Sequence, residues 1–215
     1  MDGVNLLWEN RLMLMDGMGQ TIYVAMVSLL LSFIGGLMVG FLRSQKNPIM
    51  RFVTRFYLEC FRIIPLIVWL FVVFFTLPRL LGQYVSSTTS VILVFTLWGA
   101  AEMGEMVRGA LQSLPVIQRE SGRALGLSYI QLYRYVLLPQ AIRRLLPGVI
   151  NMATRLIKTT SITTMVGVVE IFSRGTQIIE RTREPFAIYV FIFFFFFVLC
   201  YPLTLWSRHL EKKSR

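Results

Sequence analysis

Apolar residues group into five long segments, and each is close in length to the roughly 20 residues that a helix needs to span a hydrocarbon core about 30 Å thick. The segments run approximately over residues 19–42, 56–77, 90–107, 147–169 and 186–206. This pattern predicts an all-α integral membrane protein with five transmembrane helices, which form a single transmembrane domain over residues 1–215.

The fourth and fifth segments differ in polarity. Asn151, Arg155 and Lys158 interrupt the fourth, and a run of hydroxyl residues follows them, whereas the fifth is uncharged and contains five consecutive Phe residues at 193–197. A span as polar as the fourth cannot face lipid on all sides. We therefore expect it to line a cavity or the protein interior.

Residues 113–140 form a polar loop between the third and fourth segments, and this loop carries the signals of two short helices. Gly126 suits the position just past a helix end, where a left-handed backbone is common. Ser128 and Gln131, three residues apart, make a capping box that starts a second helix, which Pro139 is expected to end. The loop is too polar for lipid and too ordered for a linker, which indicates a docking element.

The order of residues in the polar loop resembles a motif of bacterial ABC importer permeases. Glu120-Ser121-Gly122, then Gly126, then Leu138-Pro139 are similar to the EAA...G...LP loop of that family. Further segments resemble its branch for polar amino acid uptake. They are 61–66 (FRIIPL), 105–110 (EMVRGA), 123–128 (RALGLS), 137–141 (LLPQA) and 158–161 (KTTS). The resemblance extends from about Met18 to the C-terminus.

The resemblance implies a type I ABC importer permease fold, in which the polar loop forms the coupling helices that dock on an ATPase subunit. The implied coupling residues are Glu120, Ser121, Gly122, Ala124, Leu125, Gly126, Leu127 and Ser128. The implied partners are two copies of the ATPase, a second permease subunit that is identical or related, an extracytoplasmic amino-acid-binding protein and the lipid bilayer of the bacterial cell membrane. The implied function is that of the pore-forming subunit of an ATP-driven importer for polar amino acids.

Two departures from the family pattern bear on docking and on substrate. Ser121 and Gly122 stand where the family more often has two alanines, within the docking motif. Thr159 stands where Asp is common, so one anionic anchor for a cationic side chain is missing. This difference favours glutamine, glutamate or a similar polar amino acid over arginine or lysine. The FRIIP and KTTS matches disfavour a permease for metals, methionine or peptides.

Composition and charge agree with a membrane protein. The chain is 55% hydrophobic with a mean hydropathy of +0.64, which is more apolar surface than a soluble domain of this size can bury. Its net charge of +11 does not indicate a nucleic-acid partner. The Lys and Arg residues are confined to a few loops, whereas nucleic-acid binding proteins carry them on one face.

The distribution of basic residues predicts the orientation in the membrane. Sixteen of the 22 follow the first, third and fifth segments: Arg43, Lys46, Arg51, Arg55, Arg108, Arg119, Arg123, Arg134, Arg143, Arg144, Arg155, Lys158, Arg208, Lys212, Lys213 and Arg215. Five lie on the opposite side: Arg11, Arg79, Arg174, Arg181 and Arg183. Because cytoplasmic loops are enriched in Lys and Arg, we expect the N-terminus outside and the C-terminus and the polar loop in the cytoplasm.

Glu102 and Glu105 are carboxylates three residues apart in the third segment, so they project from nearly one face of a helix. Arg108 follows Glu105 by another three residues, and we expect these two to form a structural pair. Glu102 has no such neighbour and is the better candidate for contacting substrate. The alternative is a pair with a basic residue of another helix, for example Lys158.

The second segment also carries charge. Arg62 and Glu59 lie three residues apart near one of its ends, and we expect them to pair. Pro65, three residues further on, has no backbone N–H. It therefore frees backbone groups at a position where a helix that lines a pore can use them.

Lys158, Thr159, Thr160 and Ser161 are a cluster of donors in the fourth segment that suits the carboxylate of an α-amino acid, while Glu102 suits its ammonium group. Two alternatives stay open. The hydroxyls can bond back to carbonyls of their own helix, or the binding protein alone can set specificity. Glu102 also suits a cationic side chain, so a permease for cationic amino acids remains an alternative.

The sequence predicts no catalytic residues, metal site or cofactor. It lacks a Walker-type GxxxxGK[ST] motif, so we expect a partner ATPase to hydrolyse ATP. His209 is the only histidine, and Cys60 and Cys200 lack metal-ligand spacing and are expected to be unpaired. The rival is an ion channel or membrane enzyme that uses Glu102 and Glu105, but this rival does not account for the polar loop.

Overall fold

The computed structural model describes residues 3–44 and 47–214, and within these ranges it contains ten α-helices and no strand. Lys46 and Arg215, which entered the count of basic residues, lie outside the described residues, as does the side chain of Lys213. The helices are α1 (Gly3–Glu9), α2 (Arg11–Ser44), α3 (Pro48–Ile63), α4 (Leu66–Leu81), α5 (Ser87–Gln112), α6 (Val116–Ala124), α7 (Tyr129–Gln131), α8 (Leu138–Thr159), α9 (Ile171–Thr182) and α10 (Pro185–Ser214). A π-helical turn, Leu132–Leu137, joins α7 to α8, and a 3₁₀ segment, Thr160–Val166, follows α8.

Three helices are long and apolar enough to cross a membrane: Arg11–Arg43, Ser87–Gln112 and Pro185–Lys212. Two more candidates are broken spans, Pro48–Ile63 with Leu66–Leu81, bent by 105°, and Tyr129–Val166 with Ile171–Thr182, bent by 52°. The described part of the chain thus has up to five spans if each bent pair counts as one. The predicted all-α membrane fold is confirmed.

A break at residues 64–65 interrupts the predicted second span over 56–77. Helix α3 ends at Ile63 and α4 begins at Leu66, with a bend of 105° between them. Pro65 at the break has no backbone N–H, and Ile64 before it is extended, with φ −84° and ψ 127°. The proline therefore turns the chain, so that α3 runs in a different direction from the apolar helix α4.

Helices α2 and α5 approach each other closely through glycine. A Cβ added to Gly36 would lie 2.4 Å from the Cβ of Met103, and one added to Gly40 would lie 2.8 Å from the side chain of Val107. Small residues four apart allow such close contact between membrane helices. This pair of helices forms the centre of the bundle, and α5 positions the charged residues described below.

Pro139 does not end the helix that begins after Ser128, contrary to the prediction. Helical backbone continues through Tyr129–Val166 because the turn at Leu132–Leu137 is wider than an α-helical turn. There the N–H of Leu138 donates to the carbonyl of Tyr133, five residues earlier. The wider turn accommodates the proline ring, which in a regular α-helix clashes with the carbonyl four residues earlier. The polar loop is consequently continuous with α8.

The sequence did not indicate the polar contacts between the start of α2 and α9, at the end of the bundle away from the polar loop. The first span begins at Arg11 rather than at residue 19, and Asp16 within it lies 2.5 Å from Arg174 of α9. Glu170 is fully buried and caps α9, since it accepts hydrogen bonds of 2.9 Å from two backbone N–H groups in the first turn. These contacts hold the start of α2 against α9.

Candidate functional site

Backbone hydrogen bonds at Gly126 fix the turn of the polar loop. Helix α6 ends at Ala124, and Gly126 has a φ of 78°, in the left-handed region that favours glycine. The N–H of Leu127 donates to the carbonyl of Gly122 at 3.0 Å, and the N–H of Gly126 donates to that of Arg123 at 2.9 Å. These two bonds make a Schellman motif, and the predicted helix end is confirmed.

A capping box and a small apolar core hold the rest of the polar loop. The N–H of Gln131 donates to Ser128 Oγ at 3.3 Å, and the N–H of Ser128 donates to Gln131 Oε1 at 2.9 Å, which confirms the predicted box. The core consists of Leu114, Leu132, Leu137 and Ala141. Gly122 packs against it, because a Cβ there would lie 2.4 Å from Leu132 Cδ1. A small residue at this position therefore lets α6 cross close to the π-helical turn.

Two arginines tie the polar loop to the end of α5. Arg144 of α8 donates to the backbone carbonyl of Ser113 and, at 2.9 Å, to its Oγ. Arg119 of α6 donates to the carbonyl of Leu111 at 3.2 Å. The loop is therefore linked to α5 and to α8.

The outer face of the polar loop exposes large apolar side chains. They are Leu125 (81% exposed), Ile130 (74%), Val116 (65%) and Ile117 (60%). Of the eight residues that the sequence assigns to coupling, Gly122 is buried and Leu127 is half-buried, and the other six are exposed. Apolar residues concentrated on an exposed surface and rimmed by polar ones mark interaction sites.

Glu102 lies between two arginines of other helices. Arg155 Nη1 of α8 is 3.3 Å from Glu102 Oε2, and Arg62 Nε at the end of α3 is 3.8 Å from Glu102 Oε1. Glu102 therefore pairs with basic residues of other helices, which was the alternative to substrate contact, but its partners are arginines and not Lys158. The expected pair of Arg62 with Glu59 is not formed among the described residues. The bend after α3 turns Arg62 towards α5, and Arg155 lies one helical turn before Lys158.

The side chains of this Glu102–Arg62–Arg155 triad are partly exposed. The side chain of Glu102 is 22% exposed, and those of Arg62 and Arg155 are 45% and 47% exposed. The guanidinium of Arg155 also lies 5.6 Å from the ring centre of Trp98. Because ion pairs of this exposure contribute only about 0–1 kcal/mol to stability, a charged ligand can compete for them.

Glu105 forms a structural ion pair, as predicted, but it has two arginine partners where the sequence indicated one. Arg108 Nη2 lies 2.5 Å from Glu105 Oε1, which confirms the predicted pair. Arg43 Nη1 of α2 lies 2.5 Å from Glu105 Oε2. The carboxylate therefore joins α2 to α5 near the polar loop.

The hydroxyls of the fourth span bond back to their own helical segment. Thr159, Thr160 and Ser161 donate to the carbonyls of Arg155, Ile157 and Lys158 at 2.8, 2.8 and 3.0 Å. Thr160 is also fully buried, whereas Lys158 is exposed. In this conformation the three hydroxyl groups donate to backbone carbonyls and stabilise the helix end. The exposed donors nearest Glu102 are Arg62 and Arg155.

The sequence matches known transport proteins over nearly its whole length. Residues 32–215 match the family described as "Binding-protein-dependent transport system inner membrane component". The chain is 32% identical over 209 residues to the probable glutamine ABC transporter permease protein GlnP of Bacillus subtilis strain 168, which covers 96% of this chain and 95% of that protein. It is 29% identical over 210 residues to the glutamine transport system permease protein GlnP of Escherichia coli K12, which covers 97% and 96%.

Solved structures share the fold. A chain from the crystal structure of an amino acid ABC transporter with histidines superposes with a TM-score of 0.88 at 21% identity, covering 99% of both chains. A chain of the MetNI methionine ABC transporter in an inward-facing conformation gives a TM-score of 0.78 at 22% identity, covering 95% of this chain and 97% of that one. The predicted type I ABC importer permease fold is therefore confirmed.

Proposed function

The chain belongs to the family of binding-protein-dependent transport system inner membrane components, and on that premise we propose that it is the pore-forming subunit of an ATP-driven importer for polar amino acids. It is a multi-pass protein of the cell membrane, and its family works with an ATPase, a second permease subunit and a binding protein. The observation that carries the proposal is the polar loop, a capped helical element with exposed apolar side chains on a bundle of membrane helices.

In the proposed assembly, two ATPase subunits dock on the polar loops of two permease subunits, which are identical or related. An extracytoplasmic binding protein delivers the amino acid. ATP-driven closure of the ATPases moves the polar loops, and the bonds from Arg144 and Arg119 together with the continuous helix into α8 transmit that movement to the spans. The exposed coupling residues, Leu125 above all, supply the contact with the ATPase.

The proposed substrate site is the Glu102–Arg62–Arg155 triad. Glu102 accepts the ammonium group of an α-amino acid, and the two guanidinium groups, whose fork geometry suits carboxylates, bind its carboxylate. Lys158, Thr159, Thr160 and Ser161 remain proposed members of the site, on the same helical segment as Arg155. Thr159 is neutral where Asp is common in the family, and two relatives are named for glutamine, so we favour glutamine or glutamate as substrate.

The proposed orientation places the N-terminus outside and the polar loop in the cytoplasm, and it is supported by the distribution of basic residues. In cells that express the chain without its ATPase, we expect Tyr84→Cys to react with an impermeant thiol reagent added outside, and Leu125→Cys to react only after permeabilisation. The two positions are matched, since Tyr84 is 87% and Leu125 is 81% exposed. The free cysteines Cys60 and Cys200 are first replaced by serine. The reverse labelling pattern would contradict both the orientation and the docking.

A further inference from the structure

A cavity of about 1070 Å³ opens beside the polar loop, where α2, α3 and α5 meet it. Six arginine side chains line this cavity: Arg43, Arg51, Arg55, Arg108, Arg119 and Arg134. None of the described residues that line it is Asp or Glu. The arginines come from four separate parts of the chain, so the fold, and not a single basic helix, concentrates the positive charge.

Glu105, outside the cavity lining, contacts two of these arginines, Arg43 and Arg108, at 2.5 Å each. Arg119 donates through Nη2 to the carbonyl of Leu111, but its Nε is buried without a hydrogen-bond partner among the described residues. Guanidinium groups match phosphate oxygens in geometry, so a phosphate group is the anion that suits this end of the cavity.

The remaining wall of the cavity is mostly apolar. It includes Leu37, Phe41, Val107, Leu111, Ile130 and Leu138, and Gln112, Tyr129 and Tyr133 complete the lining. Leu37 and Phe41 belong to the span of α2 and are 43% and 65% exposed, so the apolar wall continues onto a surface that faces lipid. A small phosphate would leave this wall uncovered. An acyl chain would cover it.

Helix α3 fits the level of the lipid headgroups. Its exposed residues include five apolar ones, Ile49, Met50, Phe52, Val53 and Phe56, and two arginines, Arg51 and Arg55. An amphipathic helix with basic residues on its polar face suits the membrane interface. The arginines that α3 contributes to the cavity are therefore at the depth of lipid phosphates, and basic pockets at this depth bind anionic headgroups.

We infer that this cavity binds an anionic phospholipid, with the phosphate among the arginines and an acyl chain along Leu37 and Phe41. The proposed orientation assigns the lipid to the cytoplasmic leaflet. The binding itself does not depend on transport, so its failure is distinguishable from a failure of the proposed function. The lipid fills the space between α3 and the polar loop and so supports the element that docks the ATPase.

The test compares two charge-matched double variants of the purified complex in bilayers of phosphatidylglycerol and phosphatidylcholine in equal amounts. Arg51→Gln/Arg55→Gln removes two cavity arginines outside the polar loop, and Arg208→Gln/Lys212→Gln removes two charges from the cytoplasmic tail. Native mass spectrometry measures the lipid that stays bound, and thermal unfolding checks each fold. We expect the cavity variant to retain phosphatidylglycerol about 25-fold less than wild type, because each of the two basic residues removed contributes about a fivefold factor near an anionic surface.

The tail variant is expected to retain as much phosphatidylglycerol as wild type. If the cavity double variant fails to assemble, the single variant Arg55→Gln replaces it, and we expect a smaller loss of bound phosphatidylglycerol. Equal binding of both lipids to wild type, or equal loss in both double variants, would overturn the inference. Displacement of the lipid by millimolar inorganic phosphate would assign the cavity to a soluble phosphate instead. Retention of phosphatidylglycerol by the chain purified without its ATPase, but not by the full complex, would assign the cavity to the ATPase interface instead.

Discussion

Replacing Gly126 with valine is expected to lower transport and substrate-stimulated ATP hydrolysis together by about tenfold, while the protein stays in the membrane. Gly126 has a φ of 78°, where a residue with a side chain costs about 1–2 kcal/mol, and more when it is β-branched. No atom lies within 4 Å of the position of a Cβ there, so the effect comes from the backbone and not from a clash. The turn would open and displace Leu125 from the docking face.

The matched control is Gly126→Asn, because asparagine tolerates the left-handed conformation. This variant adds a side chain to the same exposed position and is expected to keep most of the activity. ATP hydrolysis is measured in proteoliposomes with and without substrate-loaded binding protein, and uptake is measured in the same vesicles. If Gly126→Val keeps normal stimulation of ATP hydrolysis, the polar loop does not couple the two subunits in the way proposed.

Glu102→Gln is expected to raise the substrate concentration for half-maximal uptake about tenfold or more, since a hydrogen bond to a charged group contributes about 1.5–3 kcal/mol. The neutral amide keeps the shape of the side chain but loses its charge attraction for the ammonium group. Glu105→Gln is the matched control on the same helix. Glu105 contacts Arg43 and Arg108 and not the open triad, so its replacement is expected to lower thermal stability and leave half-saturation unchanged.

A charge swap separates substrate binding by the triad from a purely structural ion pair. Glu102→Arg/Arg62→Glu/Arg155→Glu reverses all three charges of the triad and keeps opposite charges at positions 102 and 155, which lie 3.3 Å apart at their closest charged atoms, and at positions 102 and 62, which lie 3.8 Å apart. If the pair only holds α5 to α8, the swap restores the uptake that Glu102→Gln loses. We expect no restoration, because the substrate would meet each charge in the wrong place. An unchanged half-saturation in Glu102→Gln would leave specificity to the binding protein.

The sequence predicted best the features that depend on neighbouring residues. The Gly126 turn, the Ser128–Gln131 capping box and the Glu105–Arg108 pair involve residues within a few positions of each other, and all three are confirmed. The approach of α2 to α5 at Gly36 was also predictable, because two glycines four residues apart leave one face of a helix without side chains.

Features that depend on the relative placement of helices could not be predicted. Arg62 contacts Glu102, 40 positions later in the sequence, only because the chain bends by 105° at Pro65, and the sequence marks the proline but not the angle. Pro139 was expected to end a helix, but a π-helical turn accommodates it. The sequence did not indicate that Glu170 is buried, because its capping bonds and its burial depend on how α9 packs against the other helices.

ATP-dependent uptake of labelled glutamine tests the central claim most directly. The complex that co-purifies with this chain in mild detergent is placed in proteoliposomes, with ATP inside and the binding protein outside. We expect glutamine to accumulate only when ATP and the binding protein are both present, and we expect excess unlabelled glutamate to compete more strongly than arginine. Absence of an ATPase from the purified complex, or uptake that does not depend on ATP, would contradict the assignment as the permease subunit of an ATP-driven importer.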